Sequence, residues 1–518
     1  MDKVKILWVD DEIELLKPHI IFLKNKGYDV TTSNNGGDAL DIMSKEVFDI
    51  VFLDEQMPGI SGIETLERIK SKYPLVPVVM ITKSEEENLM ENAIGSNIAD
   101  YLIKPVNPNQ ILLCLKKNLD NRKLVDEKST MQYQQAFREI GMNMSYIKSF
   151  DEWANVYKEL VNWELRLGSP NNSGMYEVFE SQKIEANNLF SRFIEANYVN
   201  WLKINNPDRP LMNQVILQNV LFPLIQKNKS IFLIVVDNMR YDQWKVMERI
   251  IGDIYRTDKE YMASSILPTT TQYARNALFA GLMPSEIQKT YPKYWLNEED
   301  EGTKNQYEEF FLGENLKRHG KNDIKFTYNK ILNLQAGKKF VDTLPNLLKN
   351  ELNVLVYNFV DMLSHARTEM DIIKELADDD AAYRSITESW FEHSALYEVF
   401  EYLASKHVDI VITTDHGSVK VEGPVKIVGD KATNTNLRYK VGKNLDYNKK
   451  EVMEIKHPED IYLPKANLSS TYVFAKGSDF FAYPNNFNYY VSYYKNTFQH
   501  GGISMQEMII PVAVLKAK

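Results

Sequence analysis

Short apolar runs that stop at an aspartate punctuate this chain. KILWVD (residues 5–10) and DIVFLD (49–54) come early; SIFLIVVD (230–237), NVLVYNFVD (353–361) and VDIVITTD (408–415) come late. A run of four to eight apolar, β-branched-rich residues bounded by polar ones reads as a buried strand. In a parallel sheet the carboxyl ends of such strands converge on one edge, where ligands bind. The pattern therefore predicts α/β architecture, with acidic side chains gathered at sheet edges.

In the first 120 residues the strand candidates KILWVD, DVTTS (29–33), DIVFLD, PVVMIT (77–82) and ADYLIKP (99–105) alternate with amphipathic segments. This predicts a doubly wound parallel sheet with helices on both faces. Its strand ends carry Asp10, Asp11, Asp54, Thr82 and Lys104. Three carboxylates suit Mg2+, a hard oxygen-seeking ion, and with their repulsion neutralised Asp54 is able to attack a phosphoryl group. The paired aspartates, D-x-x-M-P-G after Asp54 and K-P at Lys104 resemble the response-regulator receiver family over residues 3 to about 120. The resemblance implies that Asp54 is the phosphoacceptor and that Asp10 and Asp11 form the acidic pair, Asp11 ligating Mg2+ directly. It implies a further ligand in the backbone carbonyl of Gln56, phosphoryl contacts from Thr82 and Lys104, and Tyr101 as the switch aromatic.

Strand signals stop over residues 121–209. Trp153, Tyr157, Leu160, Trp163 and Leu167, then Leu189, Phe190, Phe193, Ile194, Val199 and Trp201, recur at helical spacing. The stretches 168–174 and 205–210, rich in Gly, Pro and Asn, punctuate them. This predicts a helical linker bundle coupling the two ends, or a dimer contact. With 518 residues, about three domains are expected. A net charge of -10 argues against a surface built to grip nucleic-acid phosphates, and the one cysteine, Cys114, has no internal partner for a disulfide. No uncharged apolar run approaches the length of a membrane span, so a cytoplasmic protein without membrane insertion is expected.

The late strands pose a different problem. Asp237, Asp361 and Asp415, with His365 and His416 close behind two of them, crowd carboxylates whose mutual repulsion a pair of divalent metals would relieve. Mixed Asp and His ligation suits Zn2+, with Mn2+ as a substitute. Between the first two of these strands, SILPTTTQYARNALFAG (265–281) places three threonines at the start of an amphipathic run. A threonine there is either a helix cap or a nucleophile whose alkoxide a metal and the helix dipole stabilise. TFQHGGISMQEMIIP (497–511) adds His500 before Gly501 and Gly502, which would let the backbone pass close to a metal.

The order Asp, P-T-x-T, D-x3-H, D-H-G and late H-G-G resembles the alkaline phosphatase superfamily, and more closely its PglZ branch, over residues 225 to 518. The resemblance implies an alkaline-phosphatase-like α/β effector domain with two Zn2+. Asp237, Asp415 and His416 would hold one, and Asp361, His365 and His500 the other. Thr271 would be the nucleophile between them, with Thr270 as the fallback. Lys420, Lys426, Arg438, Lys440 and Lys443, in a long insertion between His416 and His500, are candidates for binding the second arm of a phosphodiester. Arg240 and Arg275 are rival phosphate contacts. The remaining histidines, His19, His319, His393, His407 and His457, read as surface or local structural residues.

The organisation expected is a receiver (1–120), a helical linker (121–209) and a PglZ-type domain (210–518). That order resembles response regulators of type IX protein secretion, which implies a sensor histidine kinase, homodimerisation on phosphorylation, and a sigma factor or secretion-machinery protein as partner. A zinc-dependent phosphodiesterase acting on nucleotide phosphodiesters is the first reading. A non-catalytic, zinc-ordered signalling scaffold is the alternative. No dedicated DNA-binding module is seen.

Overall fold

The structure is a computed structural model that describes residues 4–73, 76–82, 98–167, 174–204, 206–369, 379–429, 433–465 and 469–518; the side chains of 116–131, 174–175 and 365–369 are outside the description. The chain divides into two compact units, Met1–Tyr133 and Gln134–Lys518.

The first unit is built on five parallel strands, β1 (Lys5–Val9), β2 (Asp29–Ser33), β3 (Ile50–Asp54), β4 (Val78–Thr82) and β5 (Asp100–Ile103), in the order β2-β1-β3-β4-β5. Strands covered on both faces read as continuous apolar runs, and all five residues of β3 are buried. Alternate side chains feed two cores. Ile6, Trp8, Ile50 and Phe52 point to one, Leu7, Val9, Val51 and Leu53 to the other. Two helices start where a polar side chain caps a free backbone N–H: Asn35 accepts from Asp38 and Ser61 from Glu64. The helix that starts at Pro108 closes one core with Ile111, Cys114 and Leu115.

The second unit contains the helices of the predicted linker together with the late strands. In helix Phe150–Leu167 the residues Trp153, Tyr157, Leu160 and Trp163 are buried, as the helical spacing predicts. Helix Gly174–Trp201 buries Phe190, Ile194, Tyr198 and Trp201. Trp153 meets Phe190 edge-on with ring centroids 5.6 Å apart. These helices are fastened to the late segment. Asn187 Nδ2 donates to Gln506 Oε1 at 3.0 Å, and its Oδ1 accepts from the Met505 N–H at 2.8 Å.

Six strands form the large sheet: β6 (Ile231–Val236), β7 (Tyr255–Ser264), β8 (Phe326–Ile331), β9 (Leu352–Tyr357), β10 (Asp409–Thr413) and β19 (Ile509–Ala517), in the order β7-β19-β10-β6-β9-β8. The four strands β10, β6, β9 and β8 are parallel, and β19 runs antiparallel to both β10 and β7. Asp237 directly follows β6, and β10 and β9 lie on either side of it, so the chain leaves three adjacent strands at one edge.

The segment between His416 and His500 folds into small sheets. The strands β11 (Val419–Lys420) and β18 (Phe498–Gln499) form a ribbon. β12 (Gly423–Val428) pairs with β14 (Asp446–Tyr447) and β17 (Asp479–Ala482), while β16 (Thr471–Ala475) joins β13 (Tyr439–Gly442) to β15 (Val452–Ile455). No helix among the described residues is long and apolar enough to cross a membrane.

Because Phe190 is fully buried between helices of one unit, Phe190→Ala should destabilise that unit by about 3–5 kcal/mol. Urea unfolding monitored by tryptophan fluorescence measures the loss.

Candidate functional site

The receiver edge assembles first from backbone register. Asp10 follows β1, Asp54 ends β3, Thr82 ends β4 and Lys104 follows β5. Lys104 Nζ lies 3.0 Å from Asp10 Oδ2 and 3.0 Å from Asp54 Oδ1. Carboxylate oxygens of Asp10, Asp11 and Asp54 come within 4.8 Å of one another. Burial, together with the charges of Asp10 and Asp11, outweighs Lys104 and pushes the Asp54 carboxyl up to about 6. A hard divalent cation suits this oxygen-rich set. Gly62 gives the following helix its close approach, since a Cβ there would sit 2.2 Å from the Asp54 carbonyl oxygen. Gln56 lies in the bend that follows β3, and Tyr101 on β5 is exposed.

In the second unit Asp237, Asp415 and His416 converge. Ligand atoms of the three lie within 4.8 Å of one another, and all three residues are buried. His416 Nε2 is 3.7 Å from Asp415 Oδ2 and 4.0 Å from Asp237 Oδ1. Thr271 stands at the first position of helix Thr271–Ala280, with Thr270 as the residue before it. Its Oγ1 is 3.3 Å from Asp237 Oδ1 and 3.2 Å from His416 Nε2. The Thr270 hydroxyl is buried without a hydrogen-bond partner.

His500 immediately follows β18, and its Nε2 lies 3.7 Å from Asp361 Oδ1. Its ring stacks on that of His416, with centroids 4.4 Å apart. Asp361 is in the first turn of helix Phe359–Glu369; His365 belongs to the same helix, and its side chain lies outside the described residues.

The donor set fits a metal. His416 Nδ1 is 3.1 Å from the Gly417 carbonyl and His500 Nδ1 is 3.3 Å from the Thr269 carbonyl. A proton on Nδ1 satisfies each carbonyl and leaves each Nε2 lone pair facing the carboxylates, the usual arrangement behind a metal-binding histidine. Asp415 Oδ2 is buried without a hydrogen bond. Burial, and next the neighbouring Asp237, hold the Asp415 carboxyl above its ordinary range. Burial acts on Asp237 in the same sense, but Arg275 and His416 outweigh it and hold that carboxyl below the usual range.

Four of the seven basic residues offered as substrate contacts, Arg240, Arg275, Arg438 and Lys440, are buried, and each faces an acceptor of the protein itself. Arg275 is fully buried, with Nη1 2.5 Å from Asp237 Oδ2 and Nε 2.5 Å from Glu308 Oε1. Arg240 gives Nε and Nη2 to Asp242 at 2.9 and 2.6 Å and Nη1 to Asp380 at 2.5 Å. Arg438 is paired with both carboxylate oxygens of Glu507, at 3.1 and 2.6 Å. Lys440 donates to the Asn434 carbonyl at 2.8 Å, and burial pushes its ammonium down to about 8. The hydrogen bonds of Arg240 and Arg438 go to internal acceptors, whereas Arg275 stands against Asp237 with Nη2 buried and without a hydrogen bond.

Arg240 belongs to a buried ring of charge. Arg384 Nη1 lies 3.0 Å from Asp242 Oδ2 and 3.2 Å from Glu164 Oε1, and Lys183 Nζ lies 3.4 Å from Glu164 and 2.9 Å from Asp380. The ring ties Glu164 and Lys183, on the two linker helices, to the turn that follows Asp237.

The sequence reading overlooks Glu507. Besides holding Arg438, it accepts from the Gly502 N–H at 2.9 Å and from Ser504 Oγ at 2.6 Å. The Ser504-x-x-Glu507 spacing is a capping-box signal, and the Ser504 side chain accepts from the Glu507 N–H at 3.1 Å. The glycines have packing reasons. Gly501 has φ +124, and a Cβ there would lie 2.8 Å from Asn436 Oδ1; one on Gly502 would lie 2.7 Å from the Ala475 carbonyl and 2.9 Å from Arg438 Nη2. Thr269 joins the threonine loop to this turn, donating to the Gly502 carbonyl and accepting from the Gly501 N–H, both at 3.0 Å. Asn213 and Ser265 both donate to the Asp415 carbonyl, at 2.8 Å each.

Among known families, residues 216–515 match the BREX system PglZ alkaline phosphatase-like domain, 123–202 the PorX response regulator linker domain, and 6–116 the response regulator receiver domain. The alginate biosynthesis transcriptional regulatory protein AlgB of Pseudomonas syringae pv. tomato is 35% identical over 120 residues, covering 23% of this chain and 27% of that protein. The transcriptional regulatory protein ZraR of Klebsiella oxytoca is 36% identical over 129 residues, 25% of this chain and 29% of that protein. The chain thus spans less than a third of the length of these curated relatives. The structure of the Vibrio cholerae chemotaxis protein CheY4 aligns at 29% identity with a TM-score of 0.22, covering 22% of this chain and 98% of that one.

Two outcomes are expected. Arg384→Met leaves Glu164 and Asp242 short of a buried cation and should cost about 3–5 kcal/mol, read by urea unfolding. In chelator-treated protein the Asp54 value lies above the ordinary 3.8, so stability due to its protonated form is lost as pH rises through about 6. Asp54→Asn should therefore raise the receiver's melting temperature at pH 7.5, and the difference from wild type should narrow as pH falls through about 6 and close only below the ordinary 3.8.

Proposed function

Because this chain belongs to the BREX system PglZ alkaline phosphatase-like family and carries a response-regulator receiver ahead of that domain, we propose that it is a phosphorylation-regulated, zinc-dependent phosphodiesterase acting on nucleotide phosphodiesters. The observation that carries this reading is the Thr271 hydroxyl, held 3.3 Å from Asp237 and 3.2 Å from His416 at a helix start. A receiver implies a sensor kinase as partner.

In this reading residues 1–120 receive the phosphoryl group on Asp54, 121–209 couple, and 210–518 hydrolyse. Mg2+ at Asp10, Asp11, Asp54 and the Gln56 carbonyl would serve phosphotransfer, with Thr82 and Lys104 contacting the phosphoryl group and Tyr101 reporting it. Asp237, Asp415 and His416 would hold one Zn2+, and Asp361, His365 and His500 a second. When bound, the metals supply positive charge that favours the threonine alkoxide and the charge developing on phosphorus.

Thr271 is the group positioned to react. Its place at the first turn directs Oγ1 into the cluster while the positive end of the helix dipole faces the same region. Asp237 Oδ1 is the acceptor within reach of its proton, the His416 Nε2 lone pair being the one that would hold the metal. Oγ1 forms a bond to phosphorus as the bond to the leaving ester oxygen breaks, and water then cleaves the phosphothreonine. Arg275 keeps Asp237 ionised and fixed, a positioning role rather than substrate contact.

The three-part order resembles that of response regulators of type IX protein secretion, and control of that secretion from the cytoplasm is the proposed output. Phosphorylation of Asp54 would drive homodimerisation, with a sigma factor or secretion-machinery protein downstream.

Thr271→Ala should lower turnover of bis(p-nitrophenyl) phosphate on the order of 10^3-fold or more, while phenanthroline should abolish wild-type turnover and Zn2+ restore it. Full zinc-dependent turnover by Thr271→Ala would remove Thr271 from the mechanism. Zinc-loaded wild type without activity on any diester would leave the domain as a scaffold.

A further inference from the structure

Helix Phe487–Tyr494 reads FNYYVSYY and carries no charged side chain. One side is ordinary: Phe487, Val491 and Tyr494 pack on Val419, Val421, Phe480 and Ala482. The other side presents Tyr489, 65% exposed, and Tyr490, 37% exposed. A surface helix normally turns polar side chains to water. Here the rings form columns at i,i+4. Tyr489 and Tyr493 lie 6.2 Å apart at 16°, and Tyr490 and Tyr494 6.3 Å apart at 10°. The two columns meet edge-on, Tyr489 to Tyr490 at 76° and Tyr493 to Tyr494 at 89°, and an exposed ring held in place by such neighbours suits another flat ring.

The location relates these rings to the cluster. The helix packs on Val419 of β11, which pairs with Gln499 of β18, so it flanks the ribbon whose one end carries His416 and His500. Val419 is three residues beyond His416, roughly 10 Å along an extended chain. The charge there is also suited to an anion. The chain has no carboxylate between Asp479 and Glu507, although its net charge is -10. Lys495 is exposed at the end of the helix, Lys426 Nζ lies 5.0 Å over the Phe487 ring, and Lys420 stands on β11. Aromatic faces interleaved with lysines are the combination that binds unpaired nucleotides irrespective of sequence.

We propose that Tyr489, the more exposed ring, is the stacking face for an unpaired nucleobase beside the scissile diester, with Tyr490 set edge-on against it at 5.4 Å and 76° and Lys420, Lys426 and Lys495 meeting the flanking phosphates. The proposal rests on the phosphodiesterase reading above and adds to it a subsite that distinguishes a nucleotide from a simple diester.

The test uses the full-length, zinc-loaded protein and two fluorescein-labelled probes of equal length, an oligothymidylate and an abasic deoxyribose-phosphate strand. Fluorescence anisotropy gives their affinities and product analysis their cleavage. The wild type should bind the thymidylate roughly 10- to 100-fold more tightly than the abasic strand. In Tyr489→Ser/Tyr490→Ser the ratio should fall to near one, and in Tyr489→Phe/Tyr490→Phe it should persist, because the ring faces remain. A ratio near one in the wild type, or an undiminished ratio in the serine variant, overturns the platform. An unchanged ratio accompanied by loss of a dimer in sedimentation would instead assign this face to contact between copies of the chain. If neither strand is cleaved, the phosphodiesterase reading fails, while the affinity ratio still decides the platform.

Discussion

Crowded negative charge just beyond the ends of the adjacent strands β6 and β10 sets the terms for the second unit. Asp237 and Asp415 are both buried, and the only cation placed against them among the described residues is Arg275, which Glu308 holds from the other side. Such a group of carboxylates is unstable unless every charge has a partner or the carboxyls are pushed out of their ordinary range. Both responses occur here. Arg275 holds Asp237 ionised, while Asp415 is pushed upward and keeps an oxygen without a hydrogen bond. Around this centre the fold supplies Asn213 and Ser265 on the Asp415 carbonyl, Thr271 at the edge, and Asp361 beyond His500.

The same logic appears in weaker form in the receiver. There Lys104 stands between Asp10 and Asp54, and the cluster is open enough for Asp11 to be exposed. One edge has a mobile-charge partner in lysine, whereas the other relies on a rigid guanidinium that cannot deprotonate. Exchangeable phosphoryl chemistry suits the first, a fixed centre the second.

Much of this was legible in the sequence for a simple reason. A strand's period and its terminating residue are local, so runs ending at Asp10, Asp54, Asp237 and Asp415 locate those side chains at a sheet edge before any tertiary contact is known. The aromatic spacing from Trp153 to Trp163 likewise identifies a buried helix face. What local pattern does not contain is which partner a long cation finds. Arg240, Arg275 and Arg438 read as substrate contacts until the fold brings Asp242, Glu308 and Glu507 to them. Gly501 and Gly502 read as letting the backbone pass close to a metal, and the fold adds a packing reason that spacing does not contain, since a Cβ at either would meet Asn436, Tyr439, Arg438 or the Ala475 backbone. Nor does spacing show that the linker helices share one compact unit with the late strands; the bond from Asn187 to Gln506 spans most of that unit's sequence.

The position of β19 carries a consequence for how such a chain matures. Residues 509–517 form an interior strand, inserted between β7 and β10, although they are made after every other strand of the sheet. During synthesis the receiver's strands are complete early, but β7 has no neighbour on its inner side until the ribosome has passed His500 and the strand after it. A sheet closed by its last-made strand has high contact order and forms late. An interrupted polypeptide therefore holds the receiver's five strands complete and a large sheet that lacks its interior strand.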